Sequence, residues 1–260
     1  MKGTVVPSGT LRIVLNNGKA EVHFAADAKS FHPQAYKTEA IGVDKGYTSL
    51  LAVSSHKQYG SDLGKMLSEE SDRLSEKNAR RNPYYAMLRN PDVSEDKKKR
   101  IRENNIGKKK YNRQKHRHEE TIQSYINHSI YEMMDKEDSK TIYKEKLDFE
   151  NWNKKLPKGI KRRLSSWCKG KIDERLSFIA EKQKRTIIDV NPAYTSQQCS
   201  VCGKIGKRTG KEFRCPTCGK MDADENAAVN ILHRGNDKEI TLYTPYRQVK
   251  SILLKRSSTN

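Results

Sequence analysis

The chain has 260 residues, and its 52 lysines and arginines outnumber its 32 aspartates and glutamates, which gives a formal net charge of +20. A field of this sign attracts polyanions, so nucleic acid is the expected partner and an acidic membrane surface is the alternative. No apolar run approaches the ~20 residues of a membrane-spanning helix, and the N-terminus lacks the pattern of a secretion signal, so no membrane partner is expected.

The N-terminal part of the chain predicts strands. Residues 10–24 alternate apolar and polar side chains around Asn17-Gly18, a pair that tolerates positive φ, which indicates a β-hairpin with a primed turn. Residues 40–55 predict two further strands, and Gly46 permits a tight reversal between them.

A helical segment follows, from about residue 61 to 134. Its two ends keep apolar side chains at helical spacing, at Leu63, Leu67, Leu74, Ile122, Ile126, Ile130 and Met134. The middle has hardly any apolar stripe. We therefore predict a helical hairpin whose ends pack on the core and whose middle is solvated or bound to a polyanion, with interruptions at Pro83 and Pro91.

Shorter elements complete the pattern. Residues 140–149 predict a buried strand that ends near Glu145, and residues 186–190 predict a β-branched strand. Between them, residues 160–183 predict an amphipathic helix, whose apolar face consists of Leu164, Cys168, Ile172, Leu176 and Ile179. Cys168 is best read as a small buried apolar side chain. A short helix is predicted over 224–232, before a mixed tail.

Two CxxCG knuckles lie near the C-terminus, formed by Cys199 and Cys202 and by Cys215 and Cys218. Each pair lets two sulfurs reach one ion, and the glycine after it allows a tight turn, so together they predict a closed, structural zinc site. A redox pair or two disulfides are the alternative, which a reducing compartment disfavours, and the protein is therefore expected in the cytoplasm. The twelve residues between Cys202 and Cys215 suit a two-stranded ribbon.

Carboxylates at strand ends and helix starts are candidates for a second kind of metal site. Asp44 ends an apolar strand, Glu145 follows "TIY" on another strand, and Asp224 opens the helix "DENAAVNIL". Phosphodiester cleavage by a protein with few histidines usually needs hard ions such as Mg²⁺, held by converging carboxylates on rigid elements. From position alone, each acid could equally be solvated, and Asp222 and Asp224 could form an N-cap pair.

Residues 97–118 combine many cations with few apolar side chains. The candidate nucleic-acid-binding residues are Lys97, Lys98, Lys99, Arg100, Lys108, Lys109, Lys110 and Arg113. Like charges at i,i+4 spacing oppose helix formation unless a polyanion offsets them, so we favour a backbone clamp for a heteroduplex or a single strand over a solvated helix. Tyr194 and Thr195 could contact a nucleotide or form a plain turn.

Five segments occur together in a characteristic order: "GVDKG", "IYKEKLDF", "NPAYTSQQCSVCG", "FRCPTCG" and "DADENAAVNIL". In this order they resemble TnpB, the transposon-encoded RNA-guided nuclease that is considered ancestral to the type V CRISPR effectors. The resemblance extends from about residue 40 to 232 and is most specific over residues 191–232.

The resemblance implies an α/β fold, namely an RNase H-like (RuvC) mixed sheet with a helical hairpin insertion and an inserted zinc ribbon. On the family's pattern, Asp44, Glu145 and Asp224 are the catalytic residues that hold two Mg²⁺ ions. It also implies a division of the chain into a wedge-like β remnant (1–37), a core (38–198) with a basic insertion (about 61–134), the ribbon (199–220), the last catalytic helix (221–234) and a tail (235–260).

The N-terminal region departs from the family's pattern. Family members carry a large wedge and recognition region before the first catalytic strand, whereas about forty residues precede that strand here. We therefore expect a truncated copy, a gene fragment or a minimal relative, in which the metal site is intact and guide-RNA binding depends on the short N-terminal part.

The expected function is that of a Mg²⁺-dependent, RNA-guided DNA endonuclease associated with a transposable element. Its partners would be DNA and a guide RNA, in the cytoplasm of a prokaryote or a virus-infected prokaryote. One alternative is a catalytically silent nucleic-acid-binding protein, such as a repressor or a truncated copy, and metal-dependent cleavage discriminates against it. The other is a DNA transposase proper, which a strand-joining assay would reveal.

Overall fold

A five-stranded mixed sheet forms from the apolar segments of the chain. The computed structural model describes residues 7–16, 18–26, 35–46, 48–146 and 170–259. The strands of the sheet are β3 (Thr38–Lys45), β4 (Leu51–Val53), β5 (Lys57–Tyr59), β6 (Ser139–Glu145) and β7 (Thr186–Val190). Their order is β5-β4-β3-β6-β7, in which the β3–β6 and β6–β7 pairs are parallel and the other two pairs are antiparallel.

Alternation along the central strands gives the sheet two different faces. Ile41 and Val43 of β3 point into the main core, as Ile142 of β6 does. Because successive side chains of a strand point to opposite faces, Gly42 and Asp44 lie on the other face of β3. The strands predicted over 40–55 and 140–149 are therefore confirmed within the described residues, and β5 is an additional short strand.

In the described residues four helices lie between β5 and β7 along the chain; the second packs on the first, and the other three contribute side chains to the main core. They are α1 (Leu63–Arg89), α2 (Glu95–Asn104), α3 (Lys109–Glu137) and α4 (Lys171–Lys182). Their buried contributions to the core are Leu63, Leu67, Ile122, Ile126, Ile130, Met133, Met134, Ile172, Leu176 and Ile179. The helical hairpin is confirmed, with α2 as a third helix between its arms. The first part of the helix predicted over 160–183, including Leu164 and Cys168, lies outside the described residues.

The predicted interruption at Pro83 is wrong, because α1 continues through this residue to Arg89. Proline removes one helical hydrogen bond, which leaves the carbonyl of Ala79 without its i+4 donor. Both Ala79 and Pro83 are exposed, so water can satisfy that carbonyl. The interruption at Pro91 is confirmed, since the helix ends two residues before it.

The other face of the sheet is covered by α5 (Ala223–Gly235), which extends the helix predicted over 224–232. The helix packs directly on β3 at Gly42, where a Cβ atom would lie 2.2 Å from the carbonyl oxygen of Ala228 and 2.5 Å from the amide nitrogen of Leu232. Helix and strand backbones can therefore approach this closely only because residue 42 has no side chain.

Two smaller sheets and a last helix complete the described fold. The antiparallel pairing of β1 (Pro7–Asn16) and β2 (Lys19–Ala26) confirms the predicted N-terminal hairpin, whereas Asn17 of its predicted turn lies outside the described residues. A ribbon of β8 (Lys207–Thr209), β9 (Glu212–Cys215) and β10 (Gly219–Asp222) precedes α5. The tail forms α6 (Tyr246–Thr259), a helix that the sequence did not predict. In the part of the chain that the structure describes, no helix is long and apolar enough to cross a membrane.

Replacement of Gly42 by alanine should destabilise the protein by about 1–3 kcal/mol, because the new methyl group would force two backbones apart. The control is Gly107→Ala, where a Cβ atom meets nothing within 4 Å. Urea unfolding at matched zinc content measures both free energies. If Gly42→Ala unfolds at the same urea concentration as Gly107→Ala, the close approach of α5 to β3 is contradicted.

Candidate active site and cysteine cluster

Three acids predicted from the sequence lie at one edge of the sheet. Asp44 is near the end of β3, and Glu145 is the last residue of β6. Val43 is paired with Lys144 in the parallel ladder, so the next residues, Asp44 and Glu145, are neighbours on the face that α5 covers. Asp224 is the second residue of α5 and is buried. The fold thus brings together side chains from three distant parts of the chain.

The protonation of Asp44 depends on the two acids beside it. Burial, together with the negative charges of Glu145 and Asp224, raises the pKa of Asp44 to about 8, although Arg208 and Lys45 act in the opposite direction. Burial also raises the pKa of Glu145. A buried carboxyl group that resists ionisation beside other acids would be stabilised in its charged form by a bound cation.

A threonine from the segment after β7 orients Glu145. The hydroxyl of Thr195 lies within hydrogen-bond distance of two acceptors, the Glu145 carboxylate and, at 2.9 Å, the carbonyl of Pro192. Since one hydroxyl has one proton, these two acceptors compete for it. The sequence offered Thr195 as a possible nucleotide contact or a plain turn, and the structure instead places it against the candidate catalytic acid.

The ribbon supplies a cation to the third acid. Arg208 of β8 donates to the Asp224 carboxylate at 2.5 Å. Sequence reasoning missed Arg208, since the ribbon carries several cations that look equivalent in the sequence. The neighbouring acid Asp222 has a different role, because its carboxylate accepts hydrogen bonds from the amides of Asp224 and Glu225, at 2.9 and 3.0 Å, and caps α5. Of the two neighbouring aspartates, Asp222 is the helix cap and Asp224 faces the acid cluster.

A charged network fixes the strands from the opposite face of the sheet. Lys45 and Lys144, which neighbour the two strand acids in sequence, both contact Asp173 of α4, at 2.8 and 3.2 Å. Lys144 also contacts Asp189 of β7 at 2.6 Å. Both lysines are buried, so the paired charges hold β3, β6, β7 and α4 in one arrangement. No pattern in the sequence indicates these partners.

The four knuckle cysteines form a compact cluster. All four sulfur atoms lie within 4.8 Å of one another, and in the described part of the chain no other group of three or more potential ligands meets that limit. Cys202 and Cys215 are 3.4 Å apart, which is much longer than a disulfide bond. Although burial opposes it, backbone amides of Cys218 and Thr217 lower the pKa of Cys215 to about 7. Four sulfur donors at this separation match the ligand set that zinc prefers.

The candidate nucleic-acid-binding residues lie on α2, on α3 and just before α3. Lys98 is paired with Glu95 at 2.9 Å. The other seven cations of the set are exposed, and no described acid lies within ion-pair distance of them. They are Lys97, Lys99, Arg100, Lys108, Lys109, Lys110 and Arg113. Seven unpaired, exposed cations are what a surface for polyanions requires.

A second row of cations on α1, which sequence reasoning did not single out, faces the start of α3. The Nζ atom of Lys77 and the guanidinium of Arg81 lie over the ring of Tyr111, at 4.7 and 5.6 Å from its centroid. The pKa of Lys77 is lowered by burial and then by neighbouring cations, which are Arg73, Arg81, Lys110 and Arg80. The i,i+4 spacing of Arg73, Lys77 and Arg81 could have indicated this row from the sequence, because residues at that spacing lie on one face of a helix.

Parts of the chain are similar to known proteins of two kinds, Cas12f effectors and TnpB-like proteins. Residues 170–231 match the family model "Cas12f1-like, TNB domain". The chain is 40% identical over 83 residues to the "CRISPR-associated endodeoxyribonuclease Cas12f1" of Sulfoacidibacillus thermotolerans, which is 30% of this chain and 20% of that protein. It is 31% identical over 152 residues to the "TnpB-like protein L79" of Acanthamoeba polyphaga mimivirus, which is 56% of this chain and 28% of that protein.

The chain is a relative of TnpB and of the type V CRISPR effectors. Its fold agrees, since a cryo-EM structure of a CRISPR-Cas12f ternary complex superposes with a TM-score of 0.51 and 20% identity, over 89% of this chain and 45% of that one. The matches to both curated relatives cover less than a third of their length. The resemblance to TnpB predicted from the sequence is therefore confirmed, as is a mixed α/β fold.

The raised pKa of Asp44 predicts how the stability of this TnpB relative depends on pH. The folded protein holds the Asp44 proton up to about pH 8, whereas the unfolded chain loses it near the ordinary value of 3.8. Between these values the folded state binds more protons, so the contribution of Asp44 to stability falls as the pH rises.

In buffer without added divalent metal, Asp44→Asn should therefore raise the free energy of unfolding at pH 8 by more than about 1 kcal/mol, and the gain should vanish near pH 4. Urea unfolding across this pH range measures it, with Asp135→Asn, a substitution at an exposed residue, as the control. Equal stability of Asp44→Asn and the parent at pH 8 would show that the pKa of Asp44 is not raised in the folded protein.

Proposed function

We propose that this chain is a metal-dependent DNA endonuclease of the TnpB type, RNA-guided and associated with a transposable element, with an RNase H-like (RuvC) core. The observation that carries the proposal is the convergence of Asp44, Glu145 and Asp224 from two parallel strands and a helix start. Guide RNA and DNA are the proposed partners. The similarity to proteins described as Cas12f1 endodeoxyribonuclease and TnpB-like protein supports the proposed activity. The proposed cleavage chemistry depends on the three acids.

The proposed ions are two Mg²⁺, held by the three carboxylates. When bound, such a pair supplies Lewis-acid activation of water and stabilises charge at the phosphate. The donor set fits hard cations, because it consists of carboxylate oxygens on rigid elements and because Glu145 and Asp224 raise the pKa of Asp44. In the described residues the three acids are not as compact a group as the cysteines, which suits a site that must also admit a phosphate.

The chain's own residues have separate roles in this proposal. Thr195 fixes the orientation of Glu145 through its hydroxyl. The charge of Arg208 offsets that of Asp224, and the guanidinium can turn from this carboxylate to a substrate phosphate when ions occupy the acids. The buried network of Lys45, Lys144 and Asp173 keeps the two strand ends in register.

The cysteine cluster is proposed as a structural zinc ribbon inserted before the last catalytic helix. Its sulfurs leave no position for water, so the ion would fold and stiffen the ribbon and take no part in cleavage. The ribbon ends at Asp222, the cap of α5, and it carries Arg208. Zinc bound in the ribbon (199–220) would therefore position Arg208 beside the candidate catalytic acids. In the proposed division of the chain, residues 38–198 and 221–234 form the core, preceded by the 1–37 region and followed by the 235–260 tail.

The exposed cations of α2, α3 and the facing row on α1 are proposed to bind nucleic-acid backbone. They are separate from the acids, since they belong to the helical insertion at about 61–134. A backbone clamp of this kind binds any sequence and loses affinity as salt rises. Recognition of sequence would then rest on base pairing with the guide, as in RNA-guided enzymes.

Substitution of the acids tests the nuclease proposal directly. Asp44→Ala, Glu145→Ala and Asp224→Ala should each lower cleavage of single-stranded DNA in Mg²⁺ or Mn²⁺ by more than about 100-fold, beyond the loss typical of outer-shell changes. Binding of the same DNA should change little, since the basic surface is untouched. Ca²⁺ should not support cleavage.

The matched control is Asp222→Ser, which keeps a side-chain cap on α5 two residues from Asp224 and should retain cleavage. If all four variants cut as well as the parent, the carboxylate site is refuted and a silent nucleic-acid-binding protein becomes the better account. Joined strands among the products would instead indicate a transposase proper.

Purified protein should contain about one zinc ion per chain, and Cys199→Ser should remove most of it. Zinc binding is worth roughly 10–16 kcal/mol in small peptide sites, so this variant should also lose stability. Elemental analysis by mass spectrometry measures the metal, and Cys168→Ser, at the fifth cysteine, serves as the control with unchanged zinc. A zinc content that is the same in Cys199→Ser and in the parent would refute the ribbon site.

A further inference from the structure

An exposed tyrosine stands at the tip of the turn between α5 and α6. Tyr243 is 82% exposed, the highest value among the large hydrophobic side chains that the structure describes. Single exposed apolar side chains are common on protein surfaces, so the significance of this ring depends on what holds the turn and on what lies beside it.

The turn that carries Tyr243 is built rigidly. The side-chain amide of the buried residue Asn191 donates to the carbonyls of Thr241, Leu242 and Thr244, at 2.9, 3.4 and 2.8 Å. The amide of Thr241 also donates to the hydroxyl of Thr244, at 2.9 Å. These contacts fix the backbone on both sides of Tyr243, so only the side-chain torsions of the ring must be ordered when it binds a partner.

The turn is anchored beside the candidate active site. Asn191 directly follows Val190 of β7, and Val190 is paired with Glu145 in the parallel ladder. The backbone amide of Lys146, the residue after Glu145, donates a hydrogen bond to the carbonyl of Val190 at 3.1 Å. The exposed Nζ atom of Lys146 lies 6.0 Å from the centroid of the Tyr243 ring. An aromatic face and a cation therefore lie together at the carboxyl end of β6.

A second exposed tyrosine follows three residues later in the chain. Tyr246, at the start of α6, is 55% exposed, and its inner face stacks on Tyr194 with ring centroids 4.4 Å apart and an angle of 26°. Tyr194 is itself buried and adopts a positive φ of 64°. Tyr194 therefore offers no face to a nucleotide; the faces that remain open belong to Tyr246 and Tyr243.

We propose that Tyr243 and Tyr246 form a base-stacking platform for single-stranded nucleic acid, with Lys146 contacting a phosphate of the same strand. Every base has a π-face, so exposed tyrosines bind single strands without regard to sequence, whereas duplexes keep their bases stacked inside. A chain of charge +20 already attracts such strands.

The platform gives the proposed nuclease a means of bringing an unpaired strand to the acids at the end of β6. This inference rests on the proposed function for its purpose, but the binding itself requires no cleavage. Other roles for the ring, such as contact with a protein or a cation–π interaction with Lys146 alone, give different results in the experiment below.

The test is the affinity of the full, zinc-loaded chain for a fluorescent single strand of about 12 nucleotides, measured by anisotropy in Ca²⁺ so that no cleavage occurs. Tyr243→Ala should weaken binding by about 5- to 150-fold, the loss of one base stack. Tyr243→Phe should bind within about twofold of the parent, because it keeps the ring. Tyr131→Ala, at a tyrosine of α3 that is 50% exposed, is the matched control and should bind as the parent does.

A strand of the same length without bases separates stacking from charge. The parent should bind it more weakly than normal DNA, and Tyr243→Ala should weaken that binding no further. Base stacking does not depend on the sugar, so a loss of affinity of Tyr243→Ala for either a DNA or an RNA strand supports the proposal. The proposal is overturned if Tyr243→Ala binds normal strands as the parent does, or if it loses as much affinity for the strand without bases.

The two proposals fail separately. If the chain does not cut DNA in Mg²⁺ but Tyr243→Ala still weakens binding of single strands, the nuclease proposal falls and the platform stands. If cleavage is intact in Mg²⁺ while the Tyr243 substitution changes neither affinity, the platform falls and the nuclease proposal stands.

Discussion

The cost of burying Asp44 beside two other acids is the constraint on which the candidate site depends. Asp44, Glu145 and Asp224 converge from two strand ends and a helix start, and burial together with like charge raises the pKa of Asp44 to about 8. The protein compensates with Arg208 on Asp224 and with the Thr195 hydroxyl on Glu145. Evolution towards stability alone would remove such a cluster, so its presence indicates a function that needs the acids together.

The sheet can hold this arrangement because its two faces have different roles. On the far face, Lys45 and Lys144 are buried with Asp173, and their pairing offsets the cost of taking charges out of water. On the near face, Gly42 lets α5 lie directly on β3, which places Asp224 within reach of the strand acids. The separation between the acids is thus set by strand register and by one close helix contact.

Local patterns in the sequence were enough to predict most of the elements. Periodicity gave the strands around Ile41 and Ile142 and the arms of the helical hairpin, and knuckle spacing gave the cysteine cluster. The prediction at Pro83 was wrong because one lost hydrogen bond in an exposed turn does not end a long helix. The helix α6 was missed, because its apolar residues Val249, Ile252 and Leu253 are too few for a clear stripe and depend on packing against Ile240.

The partners within the site could not be predicted in the same way. Arg208, Asp173 and Tyr243 are ordinary residues in the sequence, each among many of its charge or type. Their neighbours lie far away along the chain, so only the fold decides which cation meets Asp224 or which tyrosine stands near Lys146. The motif residues Asp44, Glu145 and Asp224 were recognised from the family's pattern, and their catalytic role remains a proposal.

Binding of Mn²⁺ to the zinc-loaded chain, followed by electron paramagnetic resonance, tests the central claim most directly, because it observes the metal site without any need for guide or target. The account predicts about two Mn²⁺ ions per chain, and a loss of that binding in Asp44→Asn and in Asp224→Asn, both checked to be folded. Contradiction would come from a parent chain that binds no Mn²⁺ in this way, or from variants that bind as much as the parent.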